Sequence, residues 1–184
     1  MYFDKEVETR DPADQHKRDA ELYRRQINYL FERSPFYRKK LQAAGYQDAK
    51  SVGGLENMAN LPFTTKDEIR KTQAEHPPLG DFLAANPEQC IRIYSTSGTT
   101  GTPCFIALTR NDLEVWATNS ARSYTATGFR PGQRLAVTFN AGPFVAGAVY
   151  YGFDKLGATV IPLGTGNTER LVNAVQLLNA TGVS

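Results

Sequence analysis

Residues 134–162 read RLAVTFNAGPFVAGAVYYGFDKLGATVIP, and this stretch alternates between strand-like and helix-like patterns. Arg134–Phe139 and Ala158–Pro162 are short runs rich in strand formers. Pro143–Leu156 lies between them and is long and apolar enough to predict a mostly buried helix. A strand, a helix and a strand in this order are typical of parallel strands joined by a right-handed crossover. The sequence therefore predicts an α/β fold with a mainly parallel sheet and flanking helices.

The same alternation continues towards the end of the sequence. Thr168–Ala180 carries an apolar face and predicts a helix, with Gly182 as its end. Val183 and Ser184 would then begin a further strand. So few strands would leave sheet edges and apolar helix faces uncovered. We therefore expect an incomplete sheet that belongs to the N-terminal part of a larger protein.

Helix-start signals dominate the first part of the chain. Asp11 and Ser34 each precede a proline, which is typical of the first helical position. Thr65 and Glu68 have the spacing of a capping box. Residues 46–62 contain glycines and an asparagine that break any period, so we expect a loop there.

The pattern changes near residue 90. Cys90–Tyr94 and Cys104–Leu108 are rich in strand formers, and a helix is predicted to begin at Thr109 and to stop at Gly128. We therefore divide the chain into a mainly helical segment, residues 1–88, and an α/β segment, residues 89–184.

Composition excludes several classes of protein. The 184 residues carry 21 basic and 19 acidic side chains, and a net charge of +2 makes nucleic-acid binding an unfavoured function. No run of 18 apolar residues predicts a membrane span, and the N-terminus has no apolar signal segment. Two cysteines and two histidines are too few typical ligands to predict a metal site. We expect a cytoplasmic protein that binds neither nucleic acid nor a membrane, and whose own side chains hold no metal ion.

The tract STSGTTGTP, residues 95–103, is the candidate functional loop. Glycines allow backbone N–H groups to approach an anion, and hydroxyls add donors that rotate onto phosphate oxygens. It is not a Walker A loop, because no Lys-Ser/Thr pair follows Gly101 and a strand comes next. A flexible linker is the alternative. The two bracketing strands and the stiff exit at Pro103 favour a loop that holds a polyphosphate.

The tract 97–103 resembles the phosphate-binding signature of the adenylate-forming enzymes, which include the acyl- and aryl-CoA synthetases. Five further segments resemble the phenylacetate-CoA ligase branch of that family, in the family's order. They are SPFYR (34–38), LPFTTKD (61–67), DLEVW (112–116), LGATVIP (156–162) and GNTER (166–170). The resemblance runs from about residue 28 to the end, and a chance match in five ordered segments is improbable.

The resemblance implies a two-step ligase. A carboxylate attacks the α-phosphate of ATP-Mg²⁺ to give an acyl-adenylate, and the thiol of coenzyme A then displaces AMP. The family's loop contacts the β- and γ-phosphates, and we assign that role to the matching residues here. These are Ser95, Thr96, Ser97, Gly98, Thr99, Thr100 and Gly101. The family's magnesium-binding glutamate lies further along such chains, so we assign no metal ligand in this one.

The loop departs from the family pattern in one respect. Family loops usually carry a lysine beside the proline, whereas Thr102 and Cys104 flank Pro103 here. A missing lysine removes one point charge from the triphosphate. Arg92 and Arg110 are candidates to replace it, although both are also typical surface positions at strand ends. Cys104 has no histidine near it in sequence, so we interpret it as a small buried residue rather than a nucleophile.

The resemblance also implies part of an acyl pocket. In that branch, the junction after the strand at Arg134 lines the pocket for an aryl acid. The matching positions are Phe139, Phe144 and Ala148, for which plain core packing is an equal alternative. The family's tyrosine-glycine run is replaced here by FNAG (139–142), so the preferred acid is expected to differ from phenylacetate.

The family's adenine-binding residues, hinge and catalytic lysine have no counterpart in these 184 residues, so we assign no catalytic residue here. We expect the N-terminal portion of an aryl- or acyl-CoA ligase that is inactive alone. Its partners would be a small aromatic acid, the remaining portion of the same enzyme and a second copy of the chain. Two alternatives remain open. One is a non-catalytic relative that binds a partner, and the other is an adenylating enzyme with an acceptor other than coenzyme A.

Overall fold

The computed structural model describes residues 1–96, 102–140, 148–166 and 168–184. Helices come first along the chain, and helices and strands alternate from residue 110 onward, which confirms the predicted α/β class. The helices are α1 (Lys5–Glu8), α2 (Pro12–Arg33), α3 (Pro35–Ala43), α4 (Lys66–Glu75), α5 (Arg110–Thr127), α6 (Val149–Leu156) and α7 (Thr168–Leu177). The strands are β1 (Cys90–Ser95), β2 (Phe105–Thr109), β3 (Arg134–Val137), β4 (Thr159–Pro162) and β5 (Gly182–Val183).

The chain forms two compact units. One unit, the sheet unit, contains Met1–Thr9, Ile93–Thr96 and Leu108–Ser184. The other, the helical unit, contains Arg10–Arg92 and Ser97–Ala107. Strands β1 and β2 form a two-stranded sheet, and two of the boundaries between the units, after Arg92 and after Ala107, fall within these strands. The division into residues 1–88 and 89–184 stays a prediction.

A parallel three-stranded sheet organises the sheet unit. Its order is β4-β3-β5, with Leu135 of β3 opposite Val160 on one side and Gly182 on the other. The predicted crossover through α6 joins the parallel strands β3 and β4. The final strand begins at Gly182, so the expectation that a strand starts at the end of the sequence is confirmed.

The core of the sheet unit lies under this sheet. Leu135, Val137 and Phe153 have no exposed surface. The ring of Phe153 stacks on Tyr124 of α5 with centroids 4.2 Å apart, and its edge meets Phe129 at 5.6 Å. Burial raises the pKa of the Tyr124 hydroxyl. Helices α5 and α6 are therefore joined to the sheet through one aromatic cluster.

Local capping explains where the helices begin. The Asp11 carboxylate accepts from the Ala13 N–H, and the Ser34 hydroxyl accepts from the Tyr37 N–H. Both helices have proline at their first position, as the sequence predicts. The predicted capping box at the start of α4 is also present, with reciprocal hydrogen bonds between Thr65 and Glu68.

Burial and aromatic contacts hold the helical unit together. Ile27 of α2 and Leu41 of α3 are buried, and so is Val52 of the following segment. The rings of Phe36 and Tyr37, at the start of α3, lie 5.7 and 5.6 Å from that of Phe82. These contacts show that Phe82 packs against the start of α3.

Three boundaries differ from the sequence prediction. Residues 46–62 are not loop throughout, because Leu55–Asn60 forms a 3-10 helix. Strand β3 ends at Val137 rather than at Phe139. Gly182 is wrong as the end of α7: the helix ends at Leu177, and Asn179 takes the left-handed conformation at φ 49°.

Gly182 has a different role, which its missing side chain explains. It lies in β5, where a Cβ atom would come within 2.8 Å of the Leu135 side chain. Close packing of two strands therefore requires this glycine. Within the described part of the chain, no helix combines the length and the apolar composition needed to cross a bilayer.

Candidate functional site

The entrance to the candidate loop is fixed by β1. Tyr94 is buried, and its ring meets the Trp116 ring of α5 edge-on at 6.4 Å. Ser95 is the last residue of β1 and is also buried, while Thr96 is half-buried. The first two predicted phosphate contacts therefore lie at the end of a strand that is packed on a helix. Ser97, Gly98, Thr99, Thr100 and Gly101 lie outside the described residues.

The exit of the loop is held by helix α4. Arg70 Nε donates to the Thr102 carbonyl oxygen at 2.9 Å. The same guanidinium forms an ion pair with Asp67, one turn earlier, at 3.0 Å. The Arg70 side chain is only about one-fifth exposed. Its planar guanidinium group is held between the Asp67 carboxylate and the Thr102 backbone carbonyl. This arrangement fixes the backbone of Thr102 near the C-terminal end of the loop.

Gln73 extends this anchor to the first residue of β2. Its Nε2 donates to the Phe105 carbonyl oxygen at 2.7 Å, and its Oε1 accepts from the Phe105 N–H at 3.1 Å. The side-chain amide thus makes the pair of hydrogen bonds that a neighbouring strand would make. Gln73 is buried, so these bonds also satisfy a polar group that is removed from water.

Cys104 completes the contact between the loop exit and α4. It is buried, and its Sγ lies 3.8 Å from the carbonyl oxygen of Lys66. This position agrees with its interpretation as a small buried residue. Residues 102–105 therefore contact α4 at its first turn and at two residues further along it.

The C-terminal end of the loop, Thr102 and Pro103, also borders a solvent-accessible cleft. A cleft of about 670 Å³ in the helical unit is lined by residues of α4, by Pro77 and Pro78, and by Thr102, Pro103 and Phe105. Arg70 and Lys71 contribute its two cationic side chains. Thr102 and Pro103 thus line a solvent-accessible surface rather than a closed core.

The proposed replacements for the family lysine are both exposed. Arg92 of β1 donates through Nη1 to the carbonyl oxygen of its neighbour Ile91 at 2.7 Å. Arg110 is the first residue of α5, after the Thr109–Asp112 capping box. A role for either arginine towards a phosphate stays a prediction.

The second candidate region lies at the carboxyl ends of β3 and β4. Ligands of open α/β sheets bind outside this edge of the sheet. Asn140 Nδ2 donates to Thr165 Oγ1 at 3.0 Å, and the Thr165 N–H donates to Asn140 Oδ1 at 3.3 Å. The segments that leave two adjacent strands are therefore joined by one side-chain amide.

The predicted acyl-pocket residues have different environments. Phe139 is half-buried, its ring meets that of Tyr150 edge-on at 5.8 Å, and its carbonyl oxygen accepts from the Tyr150 hydroxyl at 3.0 Å. Burial raises the pKa of that hydroxyl. Ala148 is almost completely buried, and Phe144 lies outside the described residues. The assignment of all three residues to an acyl pocket stays a prediction.

Sequence reasoning missed Arg70, Gln73, Thr165 and Tyr150. The partners of Arg70 and Gln73 are 32 residues away in the chain, and Thr165 is 25 residues from Asn140. No local periodicity could have found these pairs. Among the described residues, no group of three or more His, Cys, Asp or Glu side chains is placed to hold a metal ion.

The chain is similar in sequence to proteins named phenylacetate-coenzyme A ligase. The chain is 39% identical over 177 residues to the phenylacetate-coenzyme A ligase of Thermus thermophilus, covering 96% of this chain and 38% of that protein. It is 33% identical over 183 residues to the enzyme of the same name from Pseudomonas putida, covering 96% of this chain and 40% of that one. No family model matches the chain.

Solved structures of CoA ligases share the fold. A crystal structure of 2-hydroxyisobutyryl-CoA ligase in complex with 2-HIB-AMP and CoA superposes with a TM-score of 0.86 and 29% identity, over 99% of this chain and 39% of that one. An open conformation of the same ligase gives a TM-score of 0.88 at 27% identity. In sequence and fold, the chain is similar to the phenylacetate-CoA ligase-like branch of the adenylate-forming family. The chain spans about two fifths of the length of the curated relatives it matches.

Proposed function

We propose that this chain supplies the N-terminal portion of an ATP-dependent acyl- or aryl-CoA ligase. It would hold the β- and γ-phosphates of ATP-Mg²⁺ at the loop 95–103 and form part of the acyl pocket. The observation that carries the proposal is the uncharged, hydroxyl-rich loop set between β1 and β2 in this fold. The similarity of the chain to CoA ligases supports it.

The proposed chemistry has two steps. A carboxylate oxygen of the acid attacks the α-phosphorus of ATP, the bond to the β-phosphate oxygen breaks, and pyrophosphate leaves. The deprotonated thiol of coenzyme A then attacks the acyl carbon, and AMP leaves with the mixed-anhydride oxygen. Charge develops on the departing pyrophosphate in the first step, and fixed N–H and O–H donors stabilise such charge. This chain would contribute to that step through its loop.

The substrate is proposed to be a small aromatic acid. Support comes from the similarity of the chain to phenylacetate-coenzyme A ligases and from the aromatic pair Phe139 and Tyr150 beside the carboxyl end of β3. Coenzyme A is proposed as the acceptor on the same grounds. The proposed setting is the cytoplasm.

The test is the double substitution Thr99→Val with Thr100→Val in the complete ligase. Acid-dependent exchange of pyrophosphate into ATP should fall about 10²-fold, because two donors to the phosphates are lost. Thr127→Val, at the exposed end of α5, is the control and should leave the exchange rate unchanged. Exchange at the wild-type rate in the double variant would remove these hydroxyls from the mechanism.

A second candidate function is a binding module without catalysis. The observation in its favour is the exposure of apolar side chains on α7, where Val172, Val175 and Leu177 are each more than two-fifths exposed. Titration of this 184-residue chain with ATP-Mg²⁺, together with gel filtration, separates the two functions. A stable chain without nucleotide affinity would favour the binding module. Nucleotide binding without thioester formation from ATP, coenzyme A and phenylacetate is the result expected for a ligase portion.

A further inference from the structure

Helix α4 contacts the C-terminal end of the candidate phosphate loop (residues 95–103) and the first residue of β2. Its side chains reach them at two separate points, the Thr102 carbonyl and the backbone of Phe105. All of these residues belong to the helical unit. A Ser/Thr/Gly tract has many accessible backbone conformations, so its donors are useful only if its ends are fixed.

We propose that Arg70 and Gln73 are positioning residues for the phosphate loop. The inference rests on the proposed function, because it concerns how the loop is held for a triphosphate. Neither side chain needs to touch the nucleotide. Arg70 fixes the carbonyl of Thr102, and Gln73 fixes both backbone polar groups of Phe105. Together they fix the backbone at Thr102 and Phe105.

The chemistry of the two side chains suits this role. Gln73 offers one donor and one acceptor in a plane, which matches the N–H and C=O of a single strand residue. Asp67 forms an ion pair with the same Arg70 guanidinium. This ion pair orients Arg70 Nε towards the Thr102 carbonyl before a nucleotide binds to the loop. Because this hydrogen bond is already formed in the free protein, the side chain loses no further conformational entropy when a ligand binds. Loss of either one should therefore weaken triphosphate binding more than it weakens acid binding.

Helix α4 also provides a matched control. Lys71 is the next residue, carries the same charge as Arg70 and lines the same cleft. Its side chain is three-quarters exposed, and its ammonium group is paired with Glu75 at 3.9 Å. Lys71→Ala therefore removes one positive charge from the same helix without removing a contact to Thr102 or Phe105. A general electrostatic effect of α4 on ATP would appear in both variants.

The experiment measures pyrophosphate exchange in the complete ligase at varied ATP and varied acid. Arg70→Ala and Gln73→Leu should each raise the KM for ATP about tenfold, with the KM for the acid within about twofold of wild type. Arg70→Lys keeps a donor near Thr102 and should recover part of the loss. Lys71→Ala should match the wild type in both constants.

Hydrogen exchange of this 184-residue chain supplies a second measurement that needs no nucleotide. The Phe105 amide should exchange faster in Gln73→Leu, while the amides of the β4-β3-β5 sheet keep their protection. If Gln73→Leu does not fold, Gln73→Glu keeps the acceptor for the Phe105 N–H and replaces only the donor. Unchanged exchange at Phe105, or equal KM changes for ATP and the acid, would overturn the positioning role.

The outcomes separate this proposal from the proposed function. If the wild-type ligase catalyses exchange and Arg70→Ala behaves as Lys71→Ala does, the positioning role is wrong and the ligase function stands. If the complete wild-type ligase catalyses no exchange with any small aromatic acid, the proposed function fails, and the positioning role fails with it.

Discussion

Asn140 and Thr165 bridge the carboxyl ends of β3 and β4 through two hydrogen bonds made by one side-chain amide. Its Nδ2 donates to the Thr165 hydroxyl at 3.0 Å, and its Oδ1 accepts from the Thr165 N–H at 3.3 Å. Gly164 makes the bridge possible, because it has φ 75° and a Cβ atom there would lie 2.7 Å from the same Oδ1. The bridge therefore joins the two segments that leave adjacent parallel strands.

Substitution Asn140→Ala removes both hydrogen bonds of this bridge. We expect the free energy of unfolding to fall by about 1 kcal/mol, because the bridge is exposed and water replaces part of what is lost. Urea denaturation measures the change. Asn173→Ala, at an exposed position on α7, is the control and should change stability by less than about 0.5 kcal/mol. Equal effects of the two substitutions would show that the bridge does not stabilise the fold.

Gly152→Ala should destabilise the protein, although alanine is the better helix former. A Cβ atom at position 152 would lie 2.4 Å from Ser120 Cβ and 2.9 Å from the Tyr124 ring of α5. Overpacking of this kind costs about 1–3 kcal/mol, which exceeds the helix-propensity gain of about 1 kcal/mol. Thermal unfolding with Ser120→Gly added should recover part of the loss, since it removes the nearer atom. A stabilised Gly152→Ala variant would contradict the close approach of α5 and α6.

Phe153→Ala tests the aromatic core. Phe153 is completely buried and contacts the rings of Tyr124 and Phe129. We expect a loss of about 3–5 kcal/mol, because a large cavity forms beneath the sheet. Phe63→Ala is the matched control, since the Phe63 side chain is 91% exposed and should contribute less than about 0.5 kcal/mol. A small effect at Phe153, measured by denaturant unfolding, would place the core elsewhere.

Glu68 should make stability depend on pH in acid. The hydrogen bond from Lys40, followed by that from the Thr65 N–H, lowers the pKa of Glu68 from its ordinary 4.5 to about 2. The unfolded chain therefore binds this proton more readily than the folded chain does. The stabilisation is complete above about pH 4.5 and is lost as the pH falls towards about 2.

The measurement for Glu68 is the unfolding midpoint as a function of pH. Glu68→Gln should lose less stability than the wild type across this acidic window, because it has no carboxylate to protonate. A wild-type slope in Glu68→Gln would show that the Lys40–Glu68 pair and the capping box contribute nothing to the acid response.

Helix starts were predictable because their causes are local. The caps at Asp11, Ser34, Thr65 and Thr109 each depend on a side chain that reaches a backbone group two or three residues away. The end of α7 was not predictable in the same way. Asn179 adopts a left-handed conformation just after α7, and close packing against Leu135 keeps Gly182, the predicted helix end, in a strand.

The amino-acid sequence alone determined the α/β class, the order of its elements, the place of the Ser/Thr/Gly loop between two strands and the family branch. These follow from propensity, capping and motif order, which act over a few residues. Only the tertiary structure decided that Gln73 pairs with Phe105, that Arg70 holds Thr102 and that Asn140 bridges to Thr165. Each of these pairs is separated by 25 or more residues, and its hydrogen bonds exist only where folding brings the two segments within about 3 Å of each other.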